Sequence, residues 1–240
     1  MRPKVICHMI ESVDGRLHPS RWSKPFNDID ISECYEAYAA KFPAQAWMVG
    51  RTTLAEFDEQ VEEKESAVVE GGVTKACVFN ALEDGQTMAV VLDPKGKLHY
   101  KTSTIPENQH IVTIVGKGVS QAYLDELEDV GVSYVVPEAV DDLAEILETL
   151  ASVFGIETLL LEGGGVINGA FLNAGLIDEL SVLIYPAVDG LFGVTSIIGH
   201  KPLDGNADAR PAAKTHLELI DSEVNASGLV WLHYAMHNEA

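Results

Sequence analysis

The sequence predicts an α/β fold in which a mostly parallel central sheet is flanked by helices and ends in antiparallel C-terminal strands. Three observations predict it. Short apolar or β-branched runs alternate with helix-period segments as far as about residue 175. Beyond that point only strand-like runs follow, and the last two are joined by the turn Asn225-Ala226-Ser227-Gly228. Three of the earlier runs end in glycine just before a helix-capable segment, the kind of crossover that parallel strands require. No Pro/Ser/Gly-rich linker interrupts the 240 residues, so the chain reads as a single domain over 1–240.

Residues 4–10 are near-continuously apolar and read as a first strand buried on both faces, with His8 as a hydrogen-bonded core residue. Asp14-Gly15 is a turn dipeptide. The loop to Asn27 carries Ser20 and Trp22, an aromatic placed either to stack on a flat ligand or to plug the core. Residues 29–42 read as a helix capped by Asp28 or Asp30, with Ile31, Cys34, Tyr35 and Tyr38 on one face. A strand at 45–49 runs into Gly50-Arg51-Thr52-Thr53 and a helix to Phe57. Residues 58–85 are an acidic excursion with one short apolar run at 76–79. Strands follow at 88–92 and 110–115, the second ending in Gly116-Lys117-Gly118 before a helix at 120–129. After a strand at 133–136, residues 141–154 form the clearest helix, with Leu143, Ile146, Leu147, Leu150, Val153 and Phe154 at spacings of three and four. The strand ending at Leu161 leads into Glu162-Gly163-Gly164-Gly165 and an apolar helix, and further strands are expected at 180–185, 217–224 and 228–234.

Charge narrows the function. Sixteen basic against thirty-seven acidic residues give a net charge of −21, which disfavours nucleic acid and anionic membranes as partners. Between Gly118 and Gly199 there is no Lys or Arg, so a cation for a phosphorylated ligand must come from the rest of the chain, where Lys4, Arg16, Arg21, Lys24, Lys41, Arg51 and Lys117 are the leading candidates. No apolar run of roughly 18 residues and no signal-peptide pattern is present, so a cytoplasmic protein is expected. Cys7, Cys34 and Cys77 lack metal-ligand spacing and read as reduced thiols, with no metal expected.

The glycine run after Glu162 allows a sharp turn, removes Cβ atoms that would block a ligand, and aims helix N-terminal amides at an anion. It is equally compatible with a plain tight turn. At Gly50-Arg51-Thr52-Thr53 a guanidinium and two hydroxyls at a helix start can hold a phosphate through charge-assisted bonds, the alternative being an ordinary Thr cap with a surface Arg. Ligands of open α/β sheets collect at the carboxyl ends of strands, so the expected site comprises residues 10–12, 50–53, 116–117 and 162–167.

These residues resemble the pyrimidine reductases of riboflavin biosynthesis, which share the dihydrofolate-reductase-like fold. The likeness is carried by Ser12-Val13-Asp14-Gly15-Arg16, by Gly50-Arg51-Thr52-Thr53, and by Glu162-Gly163-Gly164-Gly165 with Asn168-Gly169-Ala170-Phe171-Leu172 and Leu176-Ile177-Asp178-Glu179. The resemblance implies NADPH-dependent hydride transfer that opens a ribosylamino sugar to a ribitylamino chain. It implies cofactor contacts at Ile10, Trp22, Gly50, Arg51, Thr52, Thr53, Gly116, Lys117, Gly163, Gly164, Gly165, Val166 and Ile167. It implies a small-molecule substrate held by Ser12, Ser20, Lys41 and Glu162, and a homodimer. No catalytic acid stands out: water is the first source of the proton, and Glu162 and Asp14 are the candidates within the chain. The zinc-deaminase signature of two-domain relatives is absent here, so deamination is not expected. The Asp-Asp-Pro stretch common in the family is replaced by Phe57-Asp58-Glu59-Gln60. Alternative readings are a reductase of a pterin or carbonyl compound, and a non-catalytic nucleotide-binding module. Arg51 and Lys117 together on a 2′-phosphate would favour NADPH over NADH by about thirty- to a hundredfold. Equal dissociation constants for the two nucleotides would remove both residues from that role.

Overall fold

The computed structural model describes residues 1–200, 202 and 208–239. In chain order the elements are β1 (Lys4–Ser12), α1 (Ile31–Ala39), β2 (Ala46–Gly50), α2 (Arg51–Phe57), β3 (Val61–Glu63), β4 (Cys77–Phe79), β5 (Met88–Leu92), β6 (Leu98–Tyr100) and β7 (Thr104–Ile105). They continue with β8 (Gln109–Ile114), α3 (Gln121–Val130), β9 (Ser133–Val136), α4 (Leu143–Phe154), β10 (Thr158–Leu161), α5 (Gly165–Asn173), β11 (Glu179–Tyr185), β12 (Thr215–Val224) and β13 (Val230–Asn238). The class is the expected one: α/β, mostly parallel, with antiparallel strands at the C-terminal end. Among the described residues no helix is long and apolar enough to cross a membrane. Contacts group the chain into two compact units, Met1–Pro3 with Ala44–Leu159, and Lys4–Pro43 with Leu160–Ala240.

The first unit is built on the parallel ladder β2–β5–β8–β9, to which β4 adds an antiparallel edge strand. Its helices obey local capping rules. Asp142 accepts the Glu145 amide at the start of α4, and Gly155 ends it in the left-handed conformation at φ 68°. Ser120 and Gly131 do the same for α3. The apolar stripe of α4 is buried through Leu143, Ile146, Leu147, Leu150 and Phe154, while Val153 stays exposed. The acidic excursion is more ordered than its sequence suggests. β3 pairs with β6, and the backbone of residues 67–73 is laced to the loop before α3, with Val69 donating to Gly118 at 2.9 Å and Gly118 to Val73 at 2.7 Å. Gly72 is required there, because a Cβ would overlap the Gly118 carbonyl.

In the second unit β1 pairs in parallel with β11, from Ile6 opposite Glu179 to Ser12 opposite Tyr185. β13 then adds antiparallel to β11, and β12 to β13. Asp30 caps α1 by accepting the Glu33 amide, which resolves the choice between Asp28 and Asp30. An apolar cluster of Ile10, Tyr38, Leu183, Tyr185, Leu229 and Trp231 is closed by Trp22 and Tyr35. Through it runs one polar chain. Trp231 Nε1 donates to Ser181 Oγ at 2.8 Å, and that hydroxyl lies 2.8 Å from His8 Nδ1. Because the Tyr35 carbonyl can only accept, the His8 proton sits on Nε2, 3.4 Å from it, and Nδ1 accepts from the Ser181 hydroxyl. Burial lowers the His8 pKa to about 4, so the ring is neutral and core-bound, as expected of it.

Ser181→Ala leaves two buried ring nitrogens short of a partner and is expected to cost about 2 kcal/mol in urea unfolding. His8 binds its proton less readily folded than unfolded, so wild-type stability should also decline as pH falls from about 6.5 towards about 4. A Ser181→Ala variant as stable as wild type would show that the network does not hold this core.

Candidate functional site

In the second unit the carboxyl end of β1 is tied down by one carboxylate. Asp14 accepts from Ser12 Oγ at 2.7 Å and from the amides of Asp189 and Gly190 at 3.0 and 2.8 Å. These bonds, the Ser12 hydroxyl first, hold its carboxyl well below the usual carboxylate range. It is therefore an ionised tie between the β1 turn and the segment after β11, and a poor proton donor. Ser12 itself is buried, with its hydroxyl committed to Asp14 and to the Arg16 amide. Arg16 donates to the Val194 carbonyl at 3.0 Å, Leu17 to Thr195 at 3.0 Å, and Arg21 grips Asp189 through two nitrogens.

The segment 186–199 thus tied continues onto α5. Gly199 donates to Gly165 at 2.8 Å, and Asn168 Nδ2 to the Ile197 carbonyl at 2.8 Å. A Cβ on Gly165 would overlap the Ser196 carbonyl oxygen, and one on Gly169 would lie 2.5 Å from the Gly199 backbone. The sequence suggests that Gly163, Gly164 and Gly165 clear a path for a ligand, and at Gly165 the cleared space is filled by the chain's own backbone. Gly164 is the N-cap of α5 and no side chain caps the helix. Ile167 and Asn168 donate back to Gly164, which leaves the Gly165 and Val166 amides as the ones the helix does not use. Val166 is exposed and Ile167 buried. An uncapped first turn of this kind fits an anion such as a diphosphate.

Glu162 lies at the head of this turn. Burial raises its pKa to about 8, the charge of Glu36 adds to the effect, and a hydrogen bond with the Tyr35 hydroxyl opposes it. The carboxyl consequently carries a proton at neutral pH. Tyr35 comes from α1, and its one hydroxyl proton is divided between Glu162 and the His8 carbonyl, 2.8 Å from the phenol oxygen. Ile10 is buried in the cluster beneath. Trp22 packs its ring 5.3 Å from that of Tyr185, so it serves the core. Ser20 is exposed on a 3-10 turn. Lys41 is bonded to Glu223 at 2.9 Å and lies over the Trp231 ring at 4.4 Å.

In the first unit Gly50 is the N-cap of α2, with no side-chain cap, so Thr52 and Thr53 do not play the ordinary capping role. Arg51 is ion-paired with Glu63. Gly116 donates to Pro94 at 3.0 Å, and a Cβ there would lie 2.8 Å from that carbonyl. Lys117 is ion-paired with Glu138. Neither carboxylate partner is legible in the sequence, since each lies in a different element from its cation. Tyr35 likewise shows in the sequence only as part of an apolar helix face, and the segment 186–199 carries no pattern there. The Gly165/Gly169 spacing was the available signal for the latter, since small residues four apart on a helix admit a close backbone. Among the described residues no three His, Cys, Asp or Glu side chains converge as a metal site, and the three cysteines are free.

A family model described as the RibD C-terminal domain matches residues 3–231. The chain is 25% identical over 210 residues to the 2,5-diamino-6-ribosylamino-4(3H)-pyrimidinone 5′-phosphate reductase of Methanothermobacter thermautotrophicus, covering 87% of this chain and 89% of that protein. Among solved structures it is similar to Acinetobacter baumannii RibD, at TM-score 0.61 and 21% identity over 98% of this chain. The chain spans 58% of the length of that RibD. It is also similar to a pyrimidine reductase-like protein of Corynebacterium diphtheriae, at TM-score 0.67 and 18% identity, covering 99% of this chain and 93% of that one. At these identities the two structural likenesses speak for the fold.

The close approach at α5 makes an opposite-sign prediction to helix propensity. Gly169→Ala would gain up to about 1 kcal/mol from propensity alone, yet its Cβ meets backbone at 2.5 Å, and overpacking of this kind costs about 1–3 kcal/mol. Chemical denaturation should show net destabilisation, and a stabilised variant would mean that segment 195–199 does not rest on α5.

Proposed function

Since the chain belongs to the RibD C-terminal domain family, we propose that it is an NADPH-dependent pyrimidine reductase of riboflavin biosynthesis. The observation that carries this reading is the start of α5, where no side chain caps the helix and the Gly165 and Val166 amides are not used by it, with Glu162, whose pKa burial pushes up to about 8, three residues before. The substrate is a phosphoribosylaminopyrimidine, the class named for the Methanothermobacter relative. When bound, NADPH supplies a hydride to the sugar carbon attached to nitrogen. One proton is consumed, the bond from that carbon to the ring oxygen opens, and NADP⁺ and the ribitylamino product leave.

The chain's part is positioning and proton supply. In the second unit the Gly165 and Val166 amides of α5 are offered to the cofactor's diphosphate. Glu162, at the head of that turn, holds the proton on its carboxyl oxygen, ready for the ring oxygen released as that bond opens. Ser12 is bonded to Asp14, Lys41 to Glu223, and Ser20 is exposed, so of the substrate candidates Glu162 has the strongest support. Asp14, ionised and triply bonded, is assigned to holding the loop. In the first unit Arg51, Thr52, Thr53 and Lys117 are the groups proposed for the cofactor's phosphates. Each unit is made of two separate stretches of chain, and we read them as one reductase domain, working in the cytoplasm. We further propose a homodimer through the C-terminal hairpin, since Leu217, Leu219, Ile220 and Val224 of β12 are each half or more exposed.

Oxidation of NADPH, followed by absorbance with the phosphoribosylaminopyrimidine in its amino and deaminated forms, tests the reading. Turnover supports it, and a bound cofactor with no turnover of either form overturns the substrate assignment. Turnover should decline as pH rises through about 8, where Glu162 loses its proton. Glu162→Gln should lower the maximal rate by about a hundredfold or more and flatten that limb. Stability gives an independent check with a definite sign. The folded state holds the Glu162 proton more tightly than the unfolded state does, so wild type loses stability as pH rises from the ordinary carboxylate range to about 8. Glu162→Gln escapes this loss, and its melting temperature should gain on wild type between pH 5 and pH 8. Light scattering that finds a monomer at working concentration would contradict the dimer.

A further inference from the structure

Arg51 does not stand alone in the first unit. Its guanidinium is paired with Glu63 Oε1, and the ammonium of Lys97 lies 3.7 Å from the same oxygen. The three groups come from three places in the fold: the first residue of α2, the last residue of β3, and the turn between β5 and β6. Their side chains are about a third exposed, at 30%, 38% and 29% for Arg51, Glu63 and Lys97. The backbone that carries Lys97 is held from below. The Lys97 amide donates to Asp93 Oδ2 at 2.6 Å and the Leu98 amide to the same oxygen at 2.8 Å. The Lys97 carbonyl accepts from Lys64 at 2.8 Å, and β3 is fixed to β6 with Glu63 opposite Leu98. Two cations are thus held near one point, and a carboxylate from the chain fills it.

A carboxylate between two cations, open to solvent on one side, stands where a phosphomonoester dianion would be welcome. The dianion brings more charge and more acceptor oxygens than the carboxylate, and Arg binds it with two parallel bonds. We propose that Arg51 and Lys97 form a phosphomonoester site and that Glu63 occupies it as an internal competitor, setting how strongly a phosphorylated ligand is preferred over its unphosphorylated counterpart. The assignment of that phosphate to the 2′-position of the cofactor rests on the reductase reading above. The two-cation cluster itself does not. A ligand's phosphate must displace Glu63, which can swing into water because it is partly exposed. The cost of that exchange reduces the discrimination that Arg51 would otherwise give, so selectivity for NADPH over NADH is set below the value expected from unpaired cations.

The test measures dissociation constants by titration calorimetry for NADPH, NADH, adenosine 2′,5′-bisphosphate and ribose 5-phosphate with wild type, Glu63→Gln, Lys97→Ala and Arg51→Ala. Circular dichroism confirms that each variant is folded. Glu63→Gln should tighten NADPH and the bisphosphate by about three- to tenfold and leave NADH unchanged, while Lys97→Ala and Arg51→Ala weaken the same two ligands. Tightening confined to ribose 5-phosphate would keep the phosphomonoester site and give it to the substrate. Equal changes for NADPH and NADH, with no change for either small phosphate, would overturn the proposal. If wild type binds neither nicotinamide nucleotide the reductase reading fails, and the response of the small phosphates to Glu63→Gln still decides the site. Should Glu63→Gln not fold, Glu63→Ala read in the same way replaces it, and Lys97→Ala gives the opposite sign independently.

Discussion

The contact on which the second unit depends is backbone against backbone, where residues 195–199 lie on α5 with no side chain between them. Only glycine at 165 and 169 permits it. Because the segment can come this close, Asn168 reaches the Ile197 carbonyl from within the helix. The same segment is anchored at its other end by Asp14, Arg16 and Arg21. The end of β1, the end of β11 and the start of α5 are therefore fixed to one another by hydrogen bonds to a stretch with no regular structure of its own. Glycine here works for the protein's own packing, and what is left for a ligand is the part of the first turn that the segment does not cover.

The two carboxylic acids of this unit show how environment divides one chemistry into two roles. Asp14 is surrounded by donors and stays ionised, fixing a loop. Glu162 is surrounded by a phenol, a buried thiol and another acid, and keeps its proton. Nothing in residue type separates them, and the separation comes from burial and the neighbours' dipoles. The cations follow a parallel logic. In a chain of net charge −21, five of the seven cations that the sequence puts forward have carboxylates on them: Lys4 with Glu179, Arg21 with Asp189, Lys41 with Glu223, Arg51 with Glu63, Lys117 with Glu138. At those five positions an anionic ligand would have to displace a carboxylate of the chain.

The regular elements were legible where one face or both faces are apolar over several residues. β1, β2, β5, β8, β9, α4 and the closing hairpin carry that signal, and the cap of α1 narrows to Asp28 or Asp30. The short strands β3, β6 and β7 are too brief for any period to show, and β4, visible only as an apolar run, draws its pairing from β9 more than fifty residues away. The glycine junctions were legible as turns, but whether a glycine admits a ligand or a neighbouring backbone depends on what lies opposite, and that is long-range information. The partners of Glu162 and Arg51 are of the same kind: Tyr35 is remote in sequence, and Glu63 sat in an acidic stretch that gave no reason to choose it over its neighbours.

The way the two units share the chain bears on how the protein is made. β1 is apolar on both faces, and its pairing partner β11 begins only at Glu179. At ordinary elongation rates β1 leaves the ribosome on the order of ten seconds before β11 exists. The stretch from Ala44 to Leu159 is complete earlier and holds nearly all of the first unit, so it can settle while β1 is still waiting. During that interval the nascent chain exposes a sticky strand close to its leading end, the period in which a holding chaperone would do most for the yield of active protein.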